Sequence, residues 1–208
     1  MEALEKKQEF NPLVSDEMIA RTVQSLEANG IHTLVCETGQ EARDCILSMI
    51  PPGARVYNPP SRSADQIGLT EEIQTSASFQ PVRALLRPLD RQTQQREIRQ
   101  LIVSPDVVVG SVQAITAAGQ VLVASATGSQ LGSAAFGAGA VIWIAGTQKL
   151  VSTLEEGLRR IREYCYPLED QRTRQAYGQP SAVNKILIVN GEQPGRITII
   201  LVKQNLGF

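Results

Sequence analysis

Two short runs, Val107-Val108-Val109 and Val141-Ile142-Trp143-Ile144, are apolar at every position. Runs of this length without polar alternation are typical of strands that are buried on both faces at the centre of a sheet. The flanking segments carry apolar residues at helical spacing, which favours an α/β layer fold. We therefore expect an α/β protein with a three-layer-like, open mixed sheet flanked by helices, in which these two runs are central strands.

Working outward toward the amino terminus, the chain alternates predicted helices and strands. Ser15 is placed to cap a first helix, and Thr33-Leu34-Val35-Cys36 follows it as a strand. Thr38 and Glu41 form a capping box for a second helix. Residues 55–57 then read as a short strand, so the order is that of an α/β layer.

The middle of the chain is less regular. Ser63 is expected to cap a short helix, and helical spacing returns over residues 90–102. Three arginines on that helix form a basic stripe, which we interpret as a solvated face because Asp90 and Glu97 are interleaved with them. They are Arg91, Arg96 and Arg99.

Working outward toward the carboxyl terminus, a hairpin, a helix and two more strands are predicted. Gly119 is placed at the turn of the hairpin. Ser152 with Glu155 reads as the capping box of a helix that turns its arginines, Arg159, Arg160 and Arg162, to solvent. Residues 185–189 and 197–202 are predicted to be strands joined as a plain hairpin.

The composition and charge of the chain argue against a nucleic-acid-binding, membrane or secreted protein. The 208 residues include 20 basic and 21 acidic side chains, a net charge of −1 with pI 5.9, which predicts no nucleic-acid or membrane partner. No apolar run approaches the length of a transmembrane helix, and the amino terminus does not resemble a signal peptide. We expect a cytoplasmic protein with a flexible arm over residues 1–14 and one domain over 15–208.

The thiols and the single histidine predict no metal site and no cofactor. Cys36, Cys45 and Cys165 form no CxxC pair, so they are expected to be reduced, and the first two to be small core residues. His32 lies where a helix passes into a strand and is interpreted as a surface residue. Asp106, just before a buried strand, is interpreted as structural.

Three turns rich in small residues follow or border the predicted core strands. They span residues 110–116, 127–130 and 146–149. Two of them directly follow apolar strands, where ligands bind in open α/β sheets. Glycines, hydroxyls and free amides suit a carboxylate or phosphate, and a lysine in the third turn would add positive charge. The candidate anion cleft comprises Gly110, Ser111, Gln113, Thr116, Thr127, Gly128, Ser129, Gln130, Gly146, Thr147 and Lys149.

Each turn taken alone is a weak signal. None is a Walker or Rossmann fingerprint, and Gly-Ser and Gly-Thr pairs are ordinary turn chemistry. The alternative interpretation makes Lys149 a solvated turn residue without a role in binding. We expect Ser111, Ser129 and Lys149 to face one pocket if the cleft exists.

Six segments of the chain resemble the LUD-domain (lactate-utilisation) family. They are residues 105–116, 127–130, 141–151, 158–164, 184–188 and 194–208. The resemblance implies a fold similar to the group of glucosamine-6-phosphate deaminase, ribose-5-phosphate isomerase and CoA-transferases. It also implies a link to the oxidation of lactate or similar organic acids alongside iron–sulfur partner proteins.

The sequence departs from the family pattern at three places. Ala117-Ala118-Gly119 stands where relatives often have Glu-Asp-Gly, which removes two carboxylates, and Ser129 stands where relatives often have Asn. Residues 171–183 lack the cysteines that some relatives carry in this region. These departures argue against an iron–sulfur or metal site in this chain.

Three functions are compatible with these features. The first is a non-redox component of organic-acid utilisation that binds a small anionic or phosphorylated ligand beside iron–sulfur partner proteins. The second is a CoA-transferase-like or sugar-phosphate-isomerase-like enzyme, although no carboxylate nucleophile or base lies within the three turns. The third is a purely structural interaction protein. A homo-oligomer is compatible with each of them.

Overall fold

The computed structural model describes residues 9–208, and a six-stranded parallel sheet forms its centre. The helices are α1 (Asp16–Ala28), α2 (Gly39–Met49), α3 (Arg62–Gln66), α4 (Leu69–Thr75), α5 (Val82–Leu86), α6 (Gln95–Val103), α7 (Ser129–Gly132), α8 (Leu154–Arg160) and α9 (Tyr166–Tyr177). The strands are β1 (His32–Cys36), β2 (Arg55–Tyr57), β3 (Gln80–Pro81), β4 (Val107–Ser111), β5 (Ala114–Thr116), β6 (Val121–Ser125), β7 (Ala140–Gly146), β8 (Leu150–Val151), β9 (Lys185–Val189) and β10 (Ile197–Val202).

The parallel sheet has the strand order β1-β10-β7-β4-β2-β3. The two apolar runs therefore lie at its centre, as β4 and β7, and the central-strand prediction is confirmed. Every neighbouring pair in this sheet is parallel. All six carboxyl ends consequently lie at one edge, which is where ligands bind in sheets of this kind.

Alternate residues of the central strands pack into two separate cores. Trp143 and Ala145 face one core together with α1 and α5, whereas Ile142 and Ile144 face the other core with α2 and α4. Successive side chains of a strand point to opposite faces of the sheet, so helices cover both faces. The three-layer α/β fold is thus confirmed.

A second sheet, of order β8-β5-β6-β9, packs against the same face as α1. This second sheet contains both parallel and antiparallel strand pairs. The mixed pairing that the sequence predicted is therefore found in the second sheet, whereas the central sheet is wholly parallel. The outer face of the second sheet is covered by one continuous helix, which runs through α8, a π-helical segment Ile161–Cys165, and α9. We call this the long helix.

The predicted hairpin of β9 and β10 is wrong. β9 pairs antiparallel with β6 in the second sheet, whereas β10 lies between β1 and β7 in the parallel sheet. Burial explains the separation, because all six residues of β10 are buried and most of β9 is only half-buried. A strand covered on both faces belongs at the centre of a parallel sheet.

Two of the four predicted helix caps are confirmed, and two are shifted along the chain. Ser15 caps α1, and the capping box of Thr38 forms on α2. Ser61 rather than Ser63 caps α3, and Thr153 rather than Ser152 caps α8 by accepting a hydrogen bond from the backbone NH of Glu156.

The remaining structural predictions concern single residues and the arm. His32 is exposed and pairs with Glu27, and the three thiols are free. The arginine stripe is exposed, although α6 begins at Gln95 rather than at residue 90. Residues 1–8 of the predicted arm lie outside the described residues, while Phe10 is buried against Tyr164. None of the helices within residues 9–208 combines the length and apolarity that a membrane crossing requires.

Candidate functional site

A cavity of about 330 Å³ lies beyond the carboxyl ends of β2 and β4. On the side of the parallel sheet, the cavity is lined by Ser61 in the turn before α3, by Ser63 on α3, and by Ser111 at the end of β4. The second sheet contributes the segment after β6, and the long helix closes the opposite wall. The cavity is therefore built where the ends of two sheets meet one helix.

Six of the eleven residues predicted to form the cleft line this cavity. They are Ser111, Gln113, Thr127, Ser129, Gln130 and Lys149. The three turns are thus brought to one place, although nothing in the geometry identifies a ligand.

Five predicted residues do not line the cavity and have other roles. Thr116 is buried in the β5–β6 hairpin, where its hydroxyl accepts from the Gln120 NH at 3.0 Å. Gly128 has φ +86° and turns the chain into α7. At Gly146 a Cβ atom would come within 2.3 Å of the Gln204 carbonyl, so close packing requires glycine there. Gly110 packs against Pro59, and Thr147 is buried.

Lys149 is 1% exposed, so the interpretation of this lysine as a solvated residue is wrong. The chain leaves β7 through a short 3₁₀ turn, Thr147–Lys149, and enters β8 of the second sheet. Lys149 Nζ donates to the hydroxyl of Ser63 at 2.9 Å and to the carbonyl of Val112 at 3.0 Å. Burial, reinforced by the positive charge of Arg160, lowers the pKa of the Lys149 ammonium to about 7.

Arg160 is fully buried, so the prediction that it faces solvent is wrong. It lies on the inner face of the long helix together with Gly157 and Ile161, three and one residues away. Its guanidinium donates to the Gln113 carbonyl and to Cys165 Sγ, and stacks on the ring of Tyr164 at 5.2 Å. Its Nε and second terminal nitrogen have no hydrogen-bond partner within residues 9–208.

Two residues that Arg160 contacts separate its guanidinium from the cavity. Gln113 and Cys165 both line the cavity, while Arg160 itself stands behind them. The Cys165 thiol is buried, which raises its pKa, although Arg160 and Lys149 counteract part of that effect. The thiol therefore stays neutral at physiological pH, and the cluster carries positive charge only.

Hydroxyl groups line the side of the cavity that is nearest to β4. Ser61 Oγ accepts from the Ala64 NH and donates to Ser111 Oγ at 2.9 Å. Because Ser111 receives this bond, its own hydroxyl proton is available to an acceptor in the cavity. Ser63 likewise accepts from Lys149 and donates to the Leu206 carbonyl at 3.0 Å.

The long helix supplies an ion pair to the cavity wall. Arg172 donates to both carboxylate oxygens of Glu169, at 2.6 and 2.7 Å, and stacks on the ring of Tyr177. Residues 179–183 complete this wall after the helix ends at Gly178. Within residues 9–208, Glu169 is the only acidic side chain that lines the cavity.

Sequence reasoning missed the contribution of the long helix. Successive helical residues differ by about 100°, so Arg159, Arg160 and Arg162 are spread over almost half of the helix circumference, and their spacing does not indicate which of them lies nearest the core. Arg160 is the one that shares a face with Gly157, Ile161 and Tyr164, all of which are buried.

Two other predictions bear on the chemistry. Asp106 lies at the start of β4, at the opposite end from the cavity, and accepts hydrogen bonds from the backbone NH and guanidinium of Arg55, which agrees with a structural role. The turn Ala117-Ala118-Gly119 is bound by Asn29 and does not line the cavity. The side chains at this turn therefore take no part in the lining of the cavity.

Comparison with known proteins identifies a family and a structure of the same fold. A model of the LUD domain matches residues 19–202. The crystal structure of a DUF162 family protein from Deinococcus radiodurans superposes with a TM-score of 0.56 at 15% sequence identity, covering 92% of this chain and 99% of that one. At this identity the structural match shows the fold alone. No curated protein matches the chain.

Proposed function

The chain belongs to the LUD-domain family, and on this premise we propose that it binds a small organic acid in the cavity, as a non-redox component of organic-acid utilisation. The ligand class is a lactate-like 2-hydroxy acid or a related carboxylate. Iron–sulfur proteins are the partners that we propose to act beside it, because this family is linked to such proteins.

One observation carries the proposal. Lys149 and Arg160 are both buried, they repel each other, and no carboxylate within residues 9–208 is paired with either of them. Burying positive charge without a counter-charge is unfavourable. An anion in the cavity would supply that counter-charge, directly to Lys149 and through the wall to Arg160.

The groups around Lys149 suit a carboxylate. The hydroxyl proton of Ser111 is available, and Ser129 and Gln113 add polar atoms to the same cavity. Charge-assisted hydrogen bonds to a carboxylate are the strong class of such bonds, particularly away from water. The acyl-transfer alternative is less well supported, because both oxygens of Glu169 are engaged by Arg172.

The test is a thermal-shift and calorimetric screen of the purified protein with lactate, glycolate, sugar phosphates and acyl-CoAs. A ligand at 100 times its Kd stabilises the fold by about 2.7 kcal/mol, which is readily seen as a rise in Tm. We expect the small 2-hydroxy acids to stabilise the protein. Stabilisation by acyl-CoAs alone would favour the enzyme alternative, and no stabilisation by any anion would contradict the proposal.

Variants of two neighbouring arginines supply a matched control. Arg160→Met should weaken binding of the acid by about 10-fold or more, since it removes the buried charge. Arg159→Met removes the same side chain from the adjacent, solvent-facing position, where Arg159 pairs with Glu9. It should leave the affinity unchanged, and equal losses in the two variants would argue against a local effect of Arg160.

A further inference from the structure

We propose that Lys149 captures the carbonyl carbon of a small 2-oxo acid as an imine, a covalent activity that rests on the anion binding proposed above. The geometry points to this role for one lysine alone. The described residues hold three lysines, and Lys185 and Lys203 are both on the surface, bonded to the Thr127 carbonyl and to the carboxylates of Asp16 and Glu37. Lys149 is the one that is buried and lines the cavity.

The contacts of Lys149 hold its amine in place without fixing its proton. Both partners of Nζ, the Ser63 hydroxyl and the Val112 carbonyl, are neutral. A buried lysine that serves only as a structural cation is normally paired with a carboxylate. The Ser63 hydroxyl is itself anchored on the Leu206 carbonyl, so the amine is positioned on the cavity wall by a chain of fixed groups.

The surroundings also favour the nucleophilic form of the amine. Arg160 and Cys165 are the ionisable groups that act on Lys149, and they present one positive charge and one neutral thiol. With its pKa lowered to about 7, a large fraction of Lys149 is unprotonated at neutral pH, whereas a surface lysine is almost wholly protonated. Desolvation beside another cation is an established way of activating a lysine for imine formation.

The reaction balances without any oxidant or reductant. The lone pair of neutral Nζ forms a bond to the ketone carbon as the C=O π bond breaks, and the carbonyl oxygen takes the first proton of Nζ to give a carbinolamine. Loss of that oxygen as water, with the second proton of Nζ, leaves a C=N bond between Lys149 and the former carbonyl carbon. Amine and 2-oxo acid thus yield imine and water.

The ligand class follows from the charge beside the amine. A 2-oxo acid carries its carboxylate on the carbon next to the carbonyl, so that capture at Lys149 places this anion near the positive field of Arg160. The Ser111 hydroxyl lines the same cavity and has a proton to donate. A simple ketone of the same size lacks the carboxylate and would not gain this attraction.

Borohydride trapping tests the proposal. The protein is incubated with pyruvate, with lactate, or with acetone, treated with sodium borohydride, and digested for mass mapping of the lysines. Hydride reduces an imine to a stable secondary amine. We expect a pyruvate adduct on Lys149, none with lactate, and far less with acetone. The yield should rise between pH 6 and pH 8 as the amine loses its proton.

Variants and a binding measurement separate this proposal from anion binding itself. Lys149→Arg cannot form an imine and should lose the adduct, whereas Lys203→Arg, at a lysine outside the cavity that pairs with Asp16 and Glu37, should keep both the adduct and the stabilisation by lactate. Stabilisation of the wild-type protein by both acids without an adduct would overturn the imine and leave anion binding intact. Equal labelling of Lys185 and Lys203 would overturn it as well, and neither adduct nor stabilisation would overturn both proposals.

Discussion

At the scale of single residues, the two buried cations within residues 9–208, Lys149 and Arg160, are unusual because the groups that they contact are uncharged. Lys149 contacts a hydroxyl and a carbonyl, and Arg160 contacts a carbonyl, a thiol and an aromatic ring. None of these partners carries a negative charge, so none of them neutralises a cation. Proton loss from Lys149 relieves the repulsion between the two cations, since an arginine cannot lose its proton in this range.

This protonation makes stability depend on pH in a definite direction. In the unfolded chain Lys149 keeps its proton up to about 10.5, whereas in the folded protein it loses it at about 7. Between these values the unfolded state binds more protons, so the contribution of Lys149 to the free energy of unfolding rises with pH, by at most about 1.4 kcal/mol per pH unit. Below pH 7 both states hold the proton and the contribution is constant.

Lys149→Met removes that contribution while filling a similar volume. We expect the variant to be most stable relative to wild type at or below pH 7, and to lose this relative advantage steadily from pH 7 to pH 9. Urea denaturation of both proteins across this range measures the difference, in which titrating groups that do not interact with Lys149 largely cancel. A difference that does not vary with pH would show that Lys149 titrates alike in both states.

At the scale of secondary-structure elements, the sequence predicted which segments form helices and strands more reliably than where they begin or what they pair with. Ser152 with Glu155 and Thr153 with Glu156 both have capping-box spacing, so the pattern cannot choose between them. The structure selects Thr153, because this register turns Gly157 and Ile161 inward. The side chain of Glu156 then accepts from the Ser152 NH at 2.7 Å.

The shifted cap can be tested with two neighbouring substitutions. Thr153→Ala removes the acceptor for the Glu156 NH and should lower the free energy of unfolding by about 1 kcal/mol. Ser152→Ala removes an exposed hydroxyl that does not cap the helix and should change stability by a few tenths of that amount. Chemical denaturation of both variants decides, and a larger loss at Ser152 would restore the cap that the sequence alone favoured.

At the scale of the whole molecule, the central strands, the helical layers and the meeting of the three turns could be predicted, because each depends on local patterns and on one rule of sheet topology. The contribution of the long helix to the cavity could not, since it depends on how that helix packs on the second sheet. The pairing of β10 was missed for a similar reason. Strand partners distant in sequence leave no local signal.

The different positions of β9 and β10 predict different sensitivities to the same substitution. Ile200→Ala removes a fully buried side chain from the centre of the parallel sheet and should cost about 2–5 kcal/mol. Ile188→Ala acts on a half-buried residue in an edge strand and should cost clearly less. Equilibrium unfolding in urea measures both, and similar losses would contradict the placement of these strands in separate sheets.

The insertion of β10 between β1 and β7 has a consequence for how the protein is made. Both neighbours are synthesised well before residues 197–202, and until those residues emerge from the ribosome each neighbour has a backbone edge facing an empty slot. Unpaired edges of nascent sheets are sites of aggregation. Until β10 is in place, β1 therefore has no partner in the sheet, while the group β7-β4-β2-β3 presents one unpaired edge, and this is the stage at which the growing chain is most prone to aggregation.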